Sequence, residues 1–272
     1  MVRRLARPTG CALLLIVLAL TVANAGATPK KLLDLCQVSH PSDSTIPWDC
    51  RQLKDGDTPL KLFGNHWQDV LRFNRIDQRH FKAGASLKVP RDLKEITNFS
   101  PLPREYPEAA AAEKFILVDL AEQFLGAYEH GKLRFALPIA SGTPETPTPA
   151  GDFRITAFDR EHDSSLYQID NTDTPYPMHY ALRFYINPEG VAFWLHGRDV
   201  PGYPASHGCI GLYDEEMQHR YYKSPTKPVL QDITTLYQWV VDTKTDSGTI
   251  TSLKNGPTVR IITSSIPQAP LR

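Results

Sequence analysis

Apolar and polar positions change rhythm once along this chain. Between residues 59 and 74, Trp67, Val70, Leu71 and Asn74 recur at spacings of three and four, the period of one helix face. Turn residues Asp55-Gly56-Asp57 precede that stretch, and "FKAGASLKVP" follows it as a glycine-containing turn into a short strand. From Phe115 the rhythm is that of strands. "FILVDL", "FLGAYEHGKLRFALPIASG", "GDFRITAF", "ALRFYI", "VAFWLHG" and "TVRIIT" mix apolar runs with alternation, and His130-Gly131 predicts a hairpin turn. Two helices are predicted among them. "QDITTLYQWVVD" groups Ile233, Leu236, Tyr237, Val240 and Val241 on one face, and "DEEMQHRYY" opens with Asp214 as N-cap and two acids in its first turn. Many short strands with few helices predict a mainly β domain, a sandwich or a barrel, behind a small α/β N-terminal domain.

The two regions meet at "FSPLPREYPEAAAAEK", whose prolines, alanine run and lack of periodicity over its first half predict a linker over 99–114. The expected order is a leader over 1–25, an N-terminal domain over 26–98, the linker, a β domain over 115–263 and a tail over 264–272. The leader carries Arg3, Arg4 and Arg7 with no acid, then an apolar stretch from Cys11 to Ala23, then Ala23-Asn24-Ala25. That is the pattern of a secretory signal peptide cut after Ala25, with a retained anchor as the alternative. The apolar stretch is shorter than the roughly 20 residues of a membrane-spanning helix. A soluble, exported, periplasmic chain is expected, with no membrane span after cleavage. Without those three arginines, 27 basic face 30 acidic residues, and no basic run points to a nucleic-acid partner.

Export gives the cysteines their meaning. Cys36 and Cys50 stand 14 apart in a Pro/Ser/Asp-rich stretch, and a disulfide between them is the economical reading in an oxidising compartment. Cys209 is then the odd thiol. It lies in "HGRDVPGYPASHGCIGL", which holds His196 and His207 as well. Alternation in "VAFWLHG" puts Val191, Phe193 and Leu195 on one strand face and Ala192, Trp194 and His196 on the other. His196 thus arrives at a sheet end, and an extended "SHGCI" presents His207 and Cys209 from one side.

Nucleophilic acyl transfer uses such a set. The attacking species is the thiolate, a free cysteine is mostly protonated at neutral pH, and a histidine within reach takes the proton. That histidine needs a partner on its other ring nitrogen, and a backbone carbonyl serves. Gly208 before the nucleophile leaves room for backbone N–H groups near a developing oxyanion. Three other readings stay open: a buried structural cysteine, a zinc site of His196, His207 and Cys209 that lacks an evident fourth ligand, and a disulfide from Cys209 to Cys36, Cys50 or a partner protein. No metal and no cofactor is expected.

At "LHG" (195–197) and "SHGCI" (206–210) the chain resembles the L,D-transpeptidase family, the YkuD-type enzymes of the bacterial cell wall. "SGTPETPTPAGDFRI" (141–155) and "YPMHYALRF" (176–184) extend the resemblance over roughly 115–263. It implies a β-sandwich-like catalytic domain with Cys209 as nucleophile, His196 as general base and the Gly197 carbonyl orienting it. Ser206, His207 and Gly208 would shape the oxyanion pocket, with His207 close to the thiolate. Tyr180, Arg183, Trp194 and Arg198 would contact substrate. The implied substrate is a peptidoglycan stem tetrapeptide that loses its terminal D-alanine to form a thioester at Cys209. Another diaminopimelate, or an outer-membrane lipoprotein lysine, would accept the acyl group, and carbapenems would acylate the same thiol. Hydrolysis of that thioester by an L,D-carboxypeptidase or endopeptidase, and a non-catalytic peptidoglycan-binding protein, are the alternatives. The N-terminal region resembles a degenerate LysM module at Gly56-Asp57-Thr58, Asn74 and Gly84 to Pro90, which implies glycan as a partner; a cap that binds no sugar is the other reading. One departure stands out: the family's motif continues with arginine after "SHGCI", and here Gly211 stands there, with Arg183 and Arg198 nearby on the predicted strands.

Overall fold

The strand Phe115–Asp119 is buried at all five positions, so it must lie inside a sheet covered on both faces. The computed structural model describes residues 33–241 and 249–264; the expected signal peptide and all but the first residue of the expected tail lie outside them. In chain order the strands are β1 (Trp48–Gln52), β2 (Ser86–Pro90), β3 (Phe115–Asp119), β4 (Phe124–Glu129), β5 (Lys132–Pro138), β6 (Gly151–Arg154) and β7 (Ala157–Asp159). They continue with β8 (Asp163–Gln168), β9 (Pro175–Pro177), β10 (Ala181–Ile186), β11 (Ala192–Arg198), β12 (Ile210–Tyr213), β13 (Thr251–Ser252) and β14 (Thr258–Ile262). The helices are α1 (Pro59–Phe63), α2 (Trp67–Phe73), α3 (Glu215–Tyr222) and α4 (Asp232–Val240).

Two five-stranded sheets, ordered β5-β4-β3-β14-β6 and β12-β11-β10-β7-β13, make the body. Ile116, Val118 and Leu125 of the first meet Leu182, Leu195 and Ile210 of the second in one core, which Ile233 and Leu236 of α4 close. The fold is mainly β and sandwich-like, with a small α/β region before it. Among the described strands, β3–β14 and β11–β12 pair in parallel and the other strand pairs are antiparallel.

The outer face of β3 decides the fate of the expected linker. Phe115 and Leu117 need cover, and Leu102, Tyr106 and Ala109 supply it. The backbone of 99–114 is tied down as well, with Tyr106 N donating to Gly131 O at 2.7 Å and Leu133 N to Arg104 O at 2.9 Å. Proline richness here therefore marks an irregular but packed strap rather than a tether.

In the N-terminal region β1 pairs antiparallel with β2, and α1 and α2 lie between them in sequence. Thr58 caps α1 by accepting from Lys61 N. Asn74 ends α2 and staples it to β2, donating to Val70 O and Lys88 O and accepting from Lys88 N at 2.8–2.9 Å. A disulfide joins Cys36 to Cys50. All described residues belong to one compact unit, so the regions expected as separate domains are fused.

Arg75 is the bolt between them. Fully buried, it donates to the Asp43 and Glu122 carboxylates at 3.1 and 3.0 Å, to Ser42 Oγ and to the carbonyls of Glu122 and Phe73. Glu122 lies between β3 and β4, so one guanidinium spans both regions. Asp43 also pairs with Lys88, but Glu122 has Arg75 as its cation. Removing one partner from such a buried pair strands the other charge. Arg75→Met should therefore cost about 3–5 kcal/mol in urea unfolding, far above an exposed-pair control such as Arg91→Met.

Candidate active site

The pairing of β11 with β12 builds the site. Leu195 pairs with Ile210, His196 with Gly211, Gly197 with Leu212 and Arg198 with Tyr213. Leu195, Ile210 and Leu212 point into the core. Period-2 alternation then puts Trp194, His196 and Arg198, with Cys209 and Gly211, on the opposite face. Three of the expected residues, a thiol, an imidazole and a guanidinium, share that face.

His196 is 3% exposed, and its Nδ1 lies 2.8 Å from the Gly197 carbonyl. A carbonyl only accepts, so Nδ1 carries the proton and Nε2 keeps its lone pair. Burial, with the Arg198 charge next in weight, lowers the imidazole pKa to about 3. Cys209 is a free, half-buried thiol packed with Trp194 and Met178. Burial pushes its pKa up, against a bond from the Trp194 backbone and the Arg198 charge. At neutral pH the resting pair is thus thiol and neutral imidazole rather than the preformed thiolate that the sequence suggests. No hydrogen bond joins them among the described residues, a looseness common in active sites without substrate.

The loop before Cys209 is held at many points. Ser206 Oγ donates to Cys209 O at 2.5 Å and accepts from Gly208 N at 3.1 Å, closing a tight turn. Gly208 has φ +109°, and a Cβ on it would stand 2.5 Å from the Phe193 ring, so only glycine fits. Its N–H is already given to Ser206 Oγ. Thr148 Oγ1 donates to Gly208 O and accepts from Gly142 N, both at 2.9 Å. Ala205 N and Ser206 N both donate to Ser141 O at 2.9 Å.

His207 departs from expectation. It is exposed and stacks on Tyr167 of β8, ring centroids 4.3 Å apart, so it faces the β8–β9 hairpin rather than the thiol. The same hairpin brings Tyr176 edge-on to His196 at 6.4 Å. The His162 ring lies tilted against Trp194, centroids 4.5 Å apart, and the Arg183 guanidinium lies 5.6 Å from the Trp194 centroid, so Trp194 and Arg183 stand in the thiol's surroundings. Tyr180 does not join them. At φ +56° it turns to meet Tyr237 of α4 at 5.5 Å, away from Cys209.

Tyr180 instead lines a cavity of about 270 Å³ with His179, Asp214, Arg160 and Arg220. It lies behind the catalytic face, because the Asp214 side chain occupies the space where a Cβ on Gly197 would go, its Cβ 2.7 Å from that point. Gly197 points away from His196, and so does everything packed on it. Tyr176, His162 and Thr148 are not singled out as site residues in the sequence, although "YPMHYALRF" and "TPTPAG" carry Tyr176 and Thr148, and Asp214 is legible there only as a helix N-cap. No metal-ligating cluster includes His196, His207 and Cys209 among the described residues.

The mainly β sandwich presents a carbonyl-oriented histidine on β11 and a free cysteine immediately before the parallel strand β12. The family model for the L,D-transpeptidase catalytic domain, YkuD, matches residues 113–261, and the chain belongs to that family. Among solved structures it is similar to an L,D-transpeptidase of Xylanimonas cellulosilytica, at 20% identity and a TM-score of 0.41, covering 71% of this chain and 78% of that one. An L,D-transpeptidase of Mycobacterium tuberculosis H37Rv is similar at 17% identity and a TM-score of 0.35, covering 55% and 57%. A third, solved in complex with imipenem, shows 18% identity and a TM-score of 0.36 and covers 55% and 59%. The chain thus spans under two thirds of the last two. No curated protein matches the sequence. No helix among the described residues is long and apolar enough to cross a membrane.

Asp214 gives the site a titration of its own. Its Oδ1 caps α3 at Met217 N, while the buried Oδ2 has no hydrogen-bond partner among the described residues and lies 3.7 Å from His179 Nδ1. Burial raises its pKa to about 6. The folded chain therefore holds this proton more tightly than the unfolded one, and the associated stability is complete below the ordinary carboxylate value and lost as pH rises through about 6. Asp214→Asn keeps the cap and removes the titration. Thermal melts at pH 4 and pH 7 should show the variant gaining on the parent as pH rises, and a parallel pair of curves would refute the assignment.

Proposed function

We propose that this chain is a cysteine L,D-transpeptidase acting on peptidoglycan stem tetrapeptides. The observation that carries the reading is the Nδ1 contact of His196 to the Gly197 carbonyl, which leaves Nε2 as a base on the face that bears Cys209. The family acts on peptidoglycan, and the finer steps follow from the residues. Cys209 Sγ attacks the carbonyl carbon between diaminopimelate and the terminal D-alanine while its proton passes to His196 Nε2. Transfer during attack suits a site where burial disfavours both ions beforehand. The intermediate collapses, His196 returns the proton to the departing D-alanine amine, and a thioester remains. An acceptor amine then loses its proton to His196, attacks the thioester and releases Cys209 as a thiol. A second diaminopimelate gives a 3→3 cross-link; a lipoprotein lysine gives an anchored protein. Carbapenems are proposed to acylate the same sulfur.

The compartment proposed is the periplasm, where peptidoglycan lies and where the Cys36–Cys50 disulfide persists. For the N-terminal region the contacts favour a brace over a glycan-binding module. Asp77, fully buried, accepts from Val200 N at 2.7 Å and from Gln218 at 2.9 Å, and Arg79 pairs with Asp199. Residues after α2 thus hold the loop between His196 and Cys209.

Intact mass spectrometry with a disaccharide-tetrapeptide tests the proposal. The parent should gain the mass of donor less D-alanine and then yield cross-linked dimer, and Cys209→Ala should gain nothing. Tripeptide alone would make the enzyme a carboxypeptidase, and no adduct on a reduced thiol would favour a binding protein. His196→Ala should slow acylation by about 10²- to 10⁴-fold. Normal speed in that variant would remove His196 as the base.

A further inference from the structure

Gly211 lies on the catalytic face, where every neighbour carries a side chain. It has ordinary strand backbone, so its lack of a side chain answers to space rather than to φ. That space is filled by Arg198. A Cβ built on Gly211 falls well inside van der Waals contact of both Cγ and Cδ of Arg198, so the arginine stem lies flat across the bare backbone of the next strand. Beyond the stem the guanidinium is aimed, with Nε donating to Asp199 O and Nη2 to Ala205 O, each at 3.1 Å. Those carbonyls stand at the two ends of the loop 199–205, and Ala205 adjoins Ser206, whose hydroxyl closes the turn around Cys209.

We propose that Arg198 is a positioning residue of the acyl-transfer site: threaded over Gly211, it ties the ends of the 199–205 loop together and holds its charge beside the His196–Cys209 pair. Gly211 is its counterpart, a position kept bare so that the stem can pass. The inference rests on the acyl-transfer reading only for the site's purpose; the tie itself is geometry. Several charged or titratable groups bear on the pair: Arg198 on both members, and His162 and His179 on the imidazole. Arg198 favours the thiolate and disfavours the imidazolium, so its removal should make the thiol harder to ionise. Lysine in its place keeps a stem and a charge but not the planar fork that serves two carbonyls at once.

The test is a double-mutant cycle on Arg198 and Gly211, read by iodoacetamide alkylation of Cys209 against pH, which needs no substrate. Arg198→Ala should raise the apparent thiol pKa by about one unit, a tenfold loss of alkylation at a fixed neutral pH. Gly211→Ala should produce a loss of the same sign, because the methyl displaces the stem. The pair together should lose no more than Arg198→Ala alone, since the stem that the methyl displaces is then already gone. Arg198→Lys should restore part of the alkylation rate but not the acylation rate with tetrapeptide donor. Additive losses, or an Arg198→Ala thiol that titrates like the parent's, would overturn the proposal. If Arg198→Ala unfolds, Arg198→Met keeps the stem, and with it the fold, and must show the same tenfold loss. A chain that never accepts the tetrapeptide yet shows this cycle would refute the acyl-transfer reading and leave the tie standing.

Discussion

Two strands that follow one another in sequence and pair in parallel force the chain to travel back along its own length. Between Arg198 and Ile210 it has eleven residues for that return. Parallel neighbours usually need a crossover of about a dozen residues or more, commonly a helix. Here the return is an irregular loop, and it ends at Cys209. The position of Cys209 against His196 is therefore set by how firmly this loop is held, more than by either strand. Its fastenings come from Ser141 and Thr148 on one side, Asp77 on another and Arg198 within. Backbone carbonyls and amides carry most of these bonds, which leaves the side chains of the face free for chemistry.

Burial sets the electrostatics that the loop encloses. A solvated Cys–His pair is already mostly thiol and neutral imidazole, and here the apolar surroundings that hold the strands together penalise either ion further. The Gly197 carbonyl works in the other direction, favouring a protonated ring as well as setting its tautomer. On the acyl-transfer reading proposed above, the arrangement would defer charge separation to the moment of attack, when the developing oxyanion and imidazolium accompany one another. Arg198 is the charge that bears on both, and it acts on the two groups with one sign, favouring the ionised thiol and opposing protonation of the imidazole.

Much of this was legible in the sequence because period-2 alternation is a statement about faces. "VAFWLHG" placed Trp194 and His196 together before any fold was known, and the odd thiol followed from the pairing of Cys36 with Cys50. His207 and Tyr180 were harder to place. His207 stands two residues from Cys209, but its partner Tyr167 comes from a hairpin about 40 residues upstream, a contact that no local period encodes. Tyr180 has strand neighbours, yet its positive φ redirects the ring. The strap at 99–114 misled for a related reason: proline and alanine signal irregular backbone, and only the apolar outer face of β3 shows that the backbone is buried. In the sequence Gly211 shows only as a departure from the arginine of the family's motif. Its meaning lay on the neighbouring strand, where Arg198 delivers a guanidinium across the vacated position.

The segment matching the family begins at residue 113, yet part of what steadies its catalytic loop lies before it. Asp77 is fully buried and spends both oxygens, one on His80 and one on Val200 N and Gln218. A buried carboxylate so engaged is costly to desolvate and is kept only where its bonds are made in full. Ile76 bridges to Pro201 and accepts from the Tyr213 hydroxyl, so the residues that follow α2 touch both the loop and the strand after it. Arg75, one residue further back, anchors the same turn to Glu122. Four successive residues, 75 to 78, thus bind the catalytic sandwich through a core arginine, a backbone bridge, a buried carboxylate and a glutamine on Glu215. The placement of Cys209 thus depends in part on bonds made by residues that precede the segment matching the family.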